Sequence, residues 1–364
     1  MQETKYERII KGLLNKIETR EWLPGEQILS ERKLTELFEV SRVTVQHAVE
    51  ELVERGVLEH VAGRKGTFVC SEPALSDRKE SRLIGVAVDD VSDMFGARIL
   101  RGIEDCLWGR KYHTIICNAD RNFRKVQEYF RSLSEQNIDG VIFSPVIVEE
   151  GYAEANLGIV EELRDSGRPF VLIDRTIPGL RENYVSTGHR DSSRLLVERF
   201  LESGHRKLLL FTGLSCSSIL EREQGFADAL REAGLDPESQ RVVRLNDNMM
   251  GPGMSAANPY VAEIARMVGD VDEATGIVAL NGRLMRGAAL ALTAMGFPLG
   301  RFARHDLHGQ FAVELKEGGL CLVSVQPAYQ LGYEAARLLL QRLESPGGAT
   351  MQISLDAEVR VFEA

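Results

Sequence analysis

Apolar residues near the start of the chain recur at intervals of three and four, which is the spacing of one face of an α-helix. This face consists of Tyr6, Ile9, Ile10, Leu13, Leu14 and Ile17. The tripeptide Leu23-Pro24-Gly25 follows and favours a turn. We therefore expect the first helix to end before it.

Two further helices are predicted over the next thirty residues. Ser30 is a suitable N-cap for the first of them, and Ser41 is a suitable N-cap for the second, which Gly56 ends. The expected buried positions are Leu34, Leu37 and Phe38 in the first, and Val45, Ala48, Val49, Leu52 and Val53 in the second. Two short helices joined by a tight turn are typical of a helix-turn-helix.

A β-hairpin is predicted directly after these helices. The runs 57–61 and 67–69 are β-like, and the segment A-G-R-K-G between them has glycines that suit a turn. Such a hairpin is the wing of a winged helix, and Arg64 and Lys65 stand at its tip.

The pattern changes after residues 71–82, whose proline, small polar residues and mixed charges are typical of a linker. We therefore predict a DNA-binding domain at 1–70 and a second domain at 83–364. The second begins with short apolar strands that alternate with helices. Strands are predicted at 83–88, 114–117, 140–143, 170–173, 208–211, 276–280 and 322–325, and helices at 99–108, 126–134, 193–203 and 225–233. This alternation predicts an α/β fold with parallel sheets, and its length favours two lobes with a ligand cleft between them.

The first turn of the third helix has the chemistry to read DNA. If its apolar side faces the core, the side chains of Arg42, Thr44, Gln46 and His47 face outward. Arginine binds guanine or phosphate, glutamine pairs with adenine, and threonine reaches a phosphate oxygen or a thymine methyl group. The alternative for each residue is a solvated polar helix face.

Polar side chains follow the strands of the second domain. They are Asp89, Asp174, Arg175, Arg222, Asn281 and Gln326. Carboxylate, guanidinium and amide groups together suit a sugar, whose hydroxyl groups both donate and accept hydrogen bonds. The alternative is that these residues only cap helices and form salt bridges.

Composition narrows the function further. The chain of 364 residues has a formal net charge of -10, which argues against a protein that coats nucleic acid without specificity. No apolar run approaches the roughly 20 residues of a membrane helix, and no signal peptide or cysteine cluster is apparent. A cytoplasmic location is expected. Because nucleotide-binding, metal-binding and hydrolase motifs are absent from the sequence, we expect neither an enzyme nor a cofactor or metal.

The segment S-E-R-K-L-T-E-L-F-E-V-S-R-V-T-V-Q resembles the winged-helix domain of the GntR family, and the resemblance covers about residues 4–70. It implies that Arg32, Arg42, Thr44 and Gly66 meet DNA. Together with the residues above, the predicted DNA-binding set is Arg32, Ser41, Arg42, Thr44, Gln46, His47, Arg64, Lys65 and Gly66. Glu39 stands where the family usually has glycine. A non-glycine residue forced to positive φ costs about 1 kcal/mol, so Glu39 indicates a slightly different turn.

Residues 83–364 resemble the effector domain of the LacI/GalR family. The runs V-L-I-D-R, E-R-E-Q-G-F-A-D-A-L and Q-P-A-Y-Q-L-G-Y-E-A-A-R carry the resemblance. It implies an effector site whose predicted residues are Asp89, Phe95, Asp174, Arg175, Arg222, Asn281, Asp306 and Gln326. The chain departs from the family at Asp93-Met94-Phe95-Gly96 and at Thr187-Gly188-His189.

A GntR-type DNA-binding domain joined to a LacI-type effector domain resembles the architecture of arabinose-responsive repressors. The resemblance implies a homodimer that binds a palindromic operator and is released by a mono- or disaccharide. Two alternatives remain open: a sugar-binding protein without a transcriptional role, and a regulator in which the effector strengthens DNA binding.

Overall fold

The computed structural model describes residues 5–19, 21–61, 64–70, 81–91, 94–250, 254–272, 274–297, 300–306, 319–345 and 347–363. Its contacts divide the chain into two compact units, Met1–Lys79 and Glu80–Ala364. The division falls inside the predicted linker. Residues 71–80 lie outside the described ranges, so the linker itself stays a prediction. None of the described helices is long and apolar enough to cross a membrane.

The first unit has the three predicted helices and a short hairpin. They are α1 (Lys5–Glu18), α2 (Glu31–Phe38), α3 (Arg42–Glu54), β1 (Leu58–Glu59) and β2 (Phe68–Val69). The two strands are antiparallel. They are shorter than the predicted runs, and Ala62 and Gly63 of the hairpin tip lie outside the described residues. The predicted core positions of α3 are buried except Val53, which is partly buried.

The prediction that Leu37 is buried was wrong, since 49% of this residue is exposed. Helix α2 buries Leu34 completely and turns Phe38 toward α1, where the ring lies 2.5 Å from the position that a Cβ atom on Gly12 would occupy. Gly12 therefore makes room for Phe38. A helix of eight residues has one narrow buried face, and Leu37 lies outside it.

The first lobe of the second unit, residues 81–187 and 328–355, is built on a six-stranded sheet. Its strands are β3 (Leu83–Val88), β4 (His113–Asn118), β5 (Gly140–Phe143), β6 (Phe170–Asp174), β7 (Tyr184–Thr187) and β13 (Gln352–Leu355). Its helices are α4 (Met94–Trp108), α5 (Phe123–Glu135), α6 (Tyr152–Asp165) and α11 (Ala328–Glu344). All strands run parallel, in the order β13-β7-β6-β5-β3-β4. One core lies between the sheet and α4 with α11, and the other lies between the sheet and α5 with α6.

The second lobe, residues 189–325 and 358–363, repeats this architecture. Its strands are β8 (Lys207–Thr212), β9 (Arg241–Arg244), β10 (Thr275–Ala279), β11 (Arg301–Asp306), β12 (Leu320–Val325) and β14 (Glu358–Glu363). Its helices are α7 (His189–Glu202), α8 (Ser217–Glu232), α9 (Pro259–Val268) and α10 (Gly282–Ala294), with short 3-10 helices at Pro237–Ser239 and Asp247–Met249. The order is β14-β12-β11-β10-β8-β9, and all pairs are parallel except β12 with β14. The predicted fold class is confirmed.

The chain crosses between the lobes three times, after β7, after β12 and after β13. Two hydrogen bonds connect these crossings to one another. The Thr187 hydroxyl donates to Oε1 of Gln326 at 3.0 Å, and the Gly188 N–H donates to the Leu355 carbonyl at 2.9 Å. These hydrogen bonds join the three crossings into one hinge, which the sequence did not predict.

Candidate DNA interface and effector site

Helix α3 begins at a capped turn that leaves its first residues exposed. The Ser41 Oγ accepts from the Thr44 N–H at 3.2 Å and lies 2.7 Å from the Thr44 Oγ1. This cap satisfies a backbone donor that would otherwise lack a partner. The Arg42 side chain is 74% exposed, and its Nε lies 3.0 Å from Oε2 of Glu31. The guanidinium is thus held at the surface by an exposed ion pair that a DNA phosphate can displace.

The remaining residues of the predicted DNA-binding set are also accessible. Arg32, His47, Arg64, Lys65 and Gly66 are exposed, and Thr44 and Gln46 are half-buried. In the wing, the Arg64 guanidinium lies 4.2 Å from the centre of the Phe68 ring. Gly66 adopts φ +110°, and a Cβ atom there would lie 2.0 Å from Nε2 of Gln27, which donates to the Lys65 carbonyl at 3.0 Å. The wing therefore needs glycine at this position.

The turn between α2 and α3 keeps the left-handed conformation at Glu39, so the different turn that this residue indicated is not observed. Glu39 has φ 53° and ψ 49°, in the left-handed region that usually takes glycine. The other half of α3 is acidic, since a groove there is lined by Tyr6, His47, Glu50, Glu51, Glu54 and Arg55. Because these carboxylates would repel phosphate, the predicted DNA contacts of α3 are expected at its N-terminal turn.

In the first lobe, the polar residues that follow β3 and β6 form a buried ion-pair network. Arg175 Nη2 lies 3.1 Å from Oδ2 of Asp89 and 3.5 Å from Oδ2 of Asp174. Arg121, which follows β4, adds a second cation, with its Nε 3.6 Å from the same Asp89 oxygen. Asp174 adopts φ 69°. Parallel strands end at one edge of the sheet, which is why these groups meet.

In the second lobe, the buried charged residues include Arg222 and Asp247. Arg222 Nη1 donates to the Leu280 carbonyl at 2.7 Å, and its Nη2 lies 3.2 Å from Nδ1 of His189. The other ring nitrogen of His189 lies 3.3 Å from the Asp174 carbonyl oxygen of the first lobe. Asp247 accepts from Nδ2 of Asn281 at 3.0 Å, while Oδ1 of Asn281 caps α10.

Side chains of the two lobes are joined directly. Arg121 Nη1 donates to Asp247 at 3.2 Å and to Asn248 at 3.0 Å. Arg283 Nη2 donates to Oδ2 of Asp90 at 2.7 Å. Three further cross-lobe hydrogen bonds involve Asn246 with Glu149, Thr176 with Ser217, and His189 with Asp174. The lobes are therefore closed on each other.

Burial shifts the ionisation of these groups. It raises the pKa of Asp174, against the opposing effect of the Arg175 and Arg222 charges. It also lowers the pKa of Arg222 to about 10. Burial, and next the Arg222 charge, hold the pKa values of His189 and His305 well below the usual range. Both imidazoles are neutral at pH 7.

The structure brings together most, but not all, of the predicted effector residues. Asp89, Asp174, Arg175, Arg222 and Asn281 belong to the network between the lobes. Gln326 is bound to Thr187 in the hinge, and Phe95 is partly buried against the core of the first lobe. Asp306 ends β11, but its side chain lies outside the described part of the chain, as does Asp93. The role of each in effector binding stays a prediction.

The predicted set lacked several charged residues of this network, among them Arg121, Asp247, Asp90 and Arg283. It also lacked His189, which contacts Arg222, and His305, which is buried beside Arg222. Arg121 and Asp247 follow strands β4 and β9, so the rule that polar residues at strand ends meet in the cleft applies to them as well. His189 and His305 gave no comparable signal, because each lies inside a secondary-structure element.

Comparison with known families matches the two units separately. Residues 5–69 match the model of bacterial regulatory proteins of the gntR family, and residues 84–348 match a periplasmic binding protein domain. An arabinose metabolism transcriptional repressor of Geobacillus stearothermophilus is 25% identical over 225 residues, 62% of this chain and 61% of that protein. One of the same name from Halalkalibacterium halodurans is 24% identical over 354 residues, 94% of this chain and 90% of that protein.

Solved structures share the fold of the second unit. A LacI family transcriptional regulator from Enterococcus faecium with bound ribose is 25% identical, with a TM-score of 0.60. The match covers 76% of this chain and 96% of that one.

Proposed function

Because the chain belongs to the periplasmic binding protein domain family over residues 84–348 and begins with a gntR-family domain, we propose that it is a DNA-binding transcriptional repressor controlled by a small sugar. The observation that carries this proposal is the presence on one chain of an exposed, capped recognition turn and of a two-lobed unit with charged groups from both lobes at their junction. The named relatives are transcriptional regulators, not enzymes.

The chemistry of the junction supports a carbohydrate effector. Asp89 and Asp174 accept hydrogen bonds from hydroxyl groups, and Arg175, Arg222 and Asn281 donate to them. The relatives are arabinose repressors, and the Enterococcus faecium regulator holds ribose. We therefore propose a mono- or disaccharide that binds between the lobes.

The proposed mechanism links the two sites through closure of the lobes. The effector replaces part of the cross-lobe network, including the Arg121 contact with Asp247, and changes the angle between the lobes. In a homodimer this changes the spacing of two winged helices on a palindromic operator. Linkage requires effector and operator to change each other's affinity by the same factor, typically 1–3 kcal/mol. We propose that the effector lowers DNA affinity.

The test is retardation of the chain's own upstream DNA at modest salt, with and without sugars. Arg42→Ala removes a base or phosphate contact and is expected to weaken operator binding by about 1–3 kcal/mol, or roughly 5- to 150-fold. Effector binding should remain intact. Arg110→Ala is the matched control, because Arg110 is an exposed, ion-paired arginine in the second unit.

Arg222→Gln should have the opposite effect to Arg42→Ala: operator binding persists and the sugar response is lost. If the wild-type chain fails to retard its upstream DNA in every condition, the regulator proposal is wrong. A protein that binds sugars but no DNA would instead support the alternative of a sugar-binding protein without a transcriptional role.

A further inference from the structure

Three polar side chains form a row across neighbouring strands of the second lobe. Ser324 lies on β12, His305 lies on β11, and Arg222 is fixed to the carbonyl of Leu280, the residue after β10. The Cα atoms of His305 and Ser324 are register partners, so their side chains point to the same face of the sheet. Each of the two lies one residue before the carboxyl end of its strand. The row therefore lies near the end of the sheet where the lobes meet.

These side chains are buried, yet hydrogen-bonding atoms in all three have no partner. Arg222, His305 and Ser324 are 4%, 2% and 0% exposed. Within the described part of the chain, Nε of Arg222, both ring nitrogens of His305 and Oγ of Ser324 accept and donate no hydrogen bond. Each such buried atom costs about 1–3 kcal/mol, and native proteins rarely leave them unsatisfied. Four such atoms in these three residues indicate a partner that the described part of the chain does not supply.

The charge of the row indicates what kind of partner this is. Arg121, Arg175 and Arg283 each have a carboxylate within ion-pair distance. Arg222 has none among the described residues, since Asp174, whose charge acts on it, pairs with Arg175. Its neighbour in the hydrogen-bond network is the His189 imidazole. A buried guanidinium without a carboxylate is costly unless an anion accompanies it.

The first lobe presents the complementary group. Oδ1 of Asp89 is buried and lacks a hydrogen-bond partner in the described structure, while Oδ2 of the same carboxylate is paired with Arg175. A carboxylate oxygen only accepts hydrogen bonds, so it requires a donor such as a hydroxyl group. Asp89 of the first lobe therefore lacks a hydrogen-bond donor, and Arg222 of the second lobe lacks an anionic partner, within the described structure.

We propose that the effector is a polyhydroxylated anion whose carboxylate or phosphate binds Arg222, His305 and Ser324, and whose hydroxyl groups bind Asp89. The inference rests on the proposed function, because it assigns the chemical class of the effector at the same site. Guanidinium groups match carboxylate and phosphate in charge and geometry, and charge-assisted hydrogen bonds are about twice as strong as neutral ones. A neutral sugar at the same place would leave the Arg222 charge uncompensated.

The experiment measures binding of matched sugars to the full-length chain by calorimetry at pH 7 and constant ionic strength. Each set has one carbon skeleton in neutral, carboxylate and phosphate forms: glucose, glucuronate and glucose 6-phosphate; galactose, galacturonate and galactose 1-phosphate; ribose, ribonate and ribose 5-phosphate. In at least one set, the anionic form should bind at least tenfold tighter than the neutral one. The carboxylate and phosphate arms identify the source of the charge.

Ser324→Ala tests the row itself. The Ser324 hydroxyl has no partner in the described structure, so its removal should leave the thermal midpoint of the ligand-free chain the same or higher, and it should weaken binding of the anionic sugar about tenfold. Ser203→Ala is the matched control, because its hydroxyl donates to the Phe200 carbonyl at 2.6 Å, at the end of α7 remote from the junction. It should leave binding of the anionic sugar unchanged.

The outcomes separate this inference from the proposed function. If a neutral sugar binds as tightly as its anionic forms, the assignment of an anion is wrong and the sugar-controlled repressor stands. If Ser324→Ala binds the anion as the wild type does, the assignment of the row is wrong. If no member of any set binds, both the inference and the proposed sugar control fail.

Discussion

His189 and His305 are buried beside the Arg222 guanidinium and have pKa values well below the usual range. An unfolded chain has no such burial, so its histidines titrate near pH 6.5. Below that pH the unfolded state takes up protons that the folded state does not, and the free energy of unfolding falls. The stability from these two groups is thus present above pH 6.5 and lost as the pH decreases.

We predict that one such histidine reduces stability by about 1.0 kcal/mol between pH 6.5 and 5.5. His305→Asn should therefore unfold with a shallower pH dependence than the wild type over this range, in urea titrations followed by circular dichroism. His113→Asn is the control, because His113 is exposed. An unchanged slope for His305→Asn would show that this imidazole is protonated in the folded state.

At the residue scale, the identity of a residue does not fix its conformation or its contacts. Glu39 adopts the left-handed conformation of a turn position that ordinarily takes glycine, although its side chain indicated a different turn. The exposure of Leu37 was not predictable, because the periodicity of an eight-residue helix does not reveal that Phe38 fills the space beside Gly12. The partners of Arg121 and Asp247 were also not predictable, because they depend on which strand ends face each other across the lobes.

At the element scale, glycine sets the closest helix contact of the first lobe. Helices α4 and α11 cross at Gly102 and Gly332. A Cβ atom on Gly102 would lie 2.0 Å from the Tyr329 carbonyl oxygen, and one on Gly332 would lie 2.0 Å from the Ile99 carbonyl oxygen. Both obstacles are backbone atoms, so a side chain at either position forces the helices apart.

We expect Gly332→Ala to lower the thermal midpoint, because overpacking of this kind typically costs about 1–3 kcal/mol. Gly158→Ala in α6 is the matched control: an added Cβ atom there has no neighbour within 4 Å. Since alanine favours a helix interior over glycine, the control should gain about 0.5–1 kcal/mol. Calorimetric melting of both variants distinguishes crowding from helix propensity, and a stabilised Gly332→Ala would contradict the crossing geometry.

Among the elements, strands that are continuous apolar runs were predictable, whereas the mostly polar edge strands β9 and β13 were not. Strands β3, β5 and β6 are continuous apolar runs, which is typical of strands covered on both sides. Strand β9 begins and ends with arginine and buries one residue of four, and β13 buries none of its four. Such strands form because they pair with the neighbouring strand of the sheet. This is a tertiary effect, which local periodicity does not reveal.

At the scale of the whole molecule, the ion pair between Asp90 and Arg283 holds the lobes closed. It lies at 2.7 Å, with the two side chains 11% and 16% exposed. Asp90→Ala should shift the population toward an open state by about 1–3 kcal/mol, since hydrogen bonds to charged groups contribute this much. Amide hydrogen exchange around residues 119–122 and 245–250 is expected to accelerate.

Glu344→Ala serves as the control for this variant, because Glu344 pairs with Arg110 within the first lobe, with both side chains 60% exposed. Its exchange in the two segments should match the wild type. Equal protection of Asp90→Ala and the wild type would mean that other contacts keep the lobes together.

The hydrogen bonds between the three chain crossings restrict how the second unit can move. Because Thr187 binds Gln326 and Gly188 binds Leu355, the three connectors bend together. Sliding of one lobe against the other would strain these two hydrogen bonds, whereas rotation of the lobes about the hinge keeps them. The ligand at the junction therefore sets the angle between the lobes, and ligands of different shape differ in how far they open this angle.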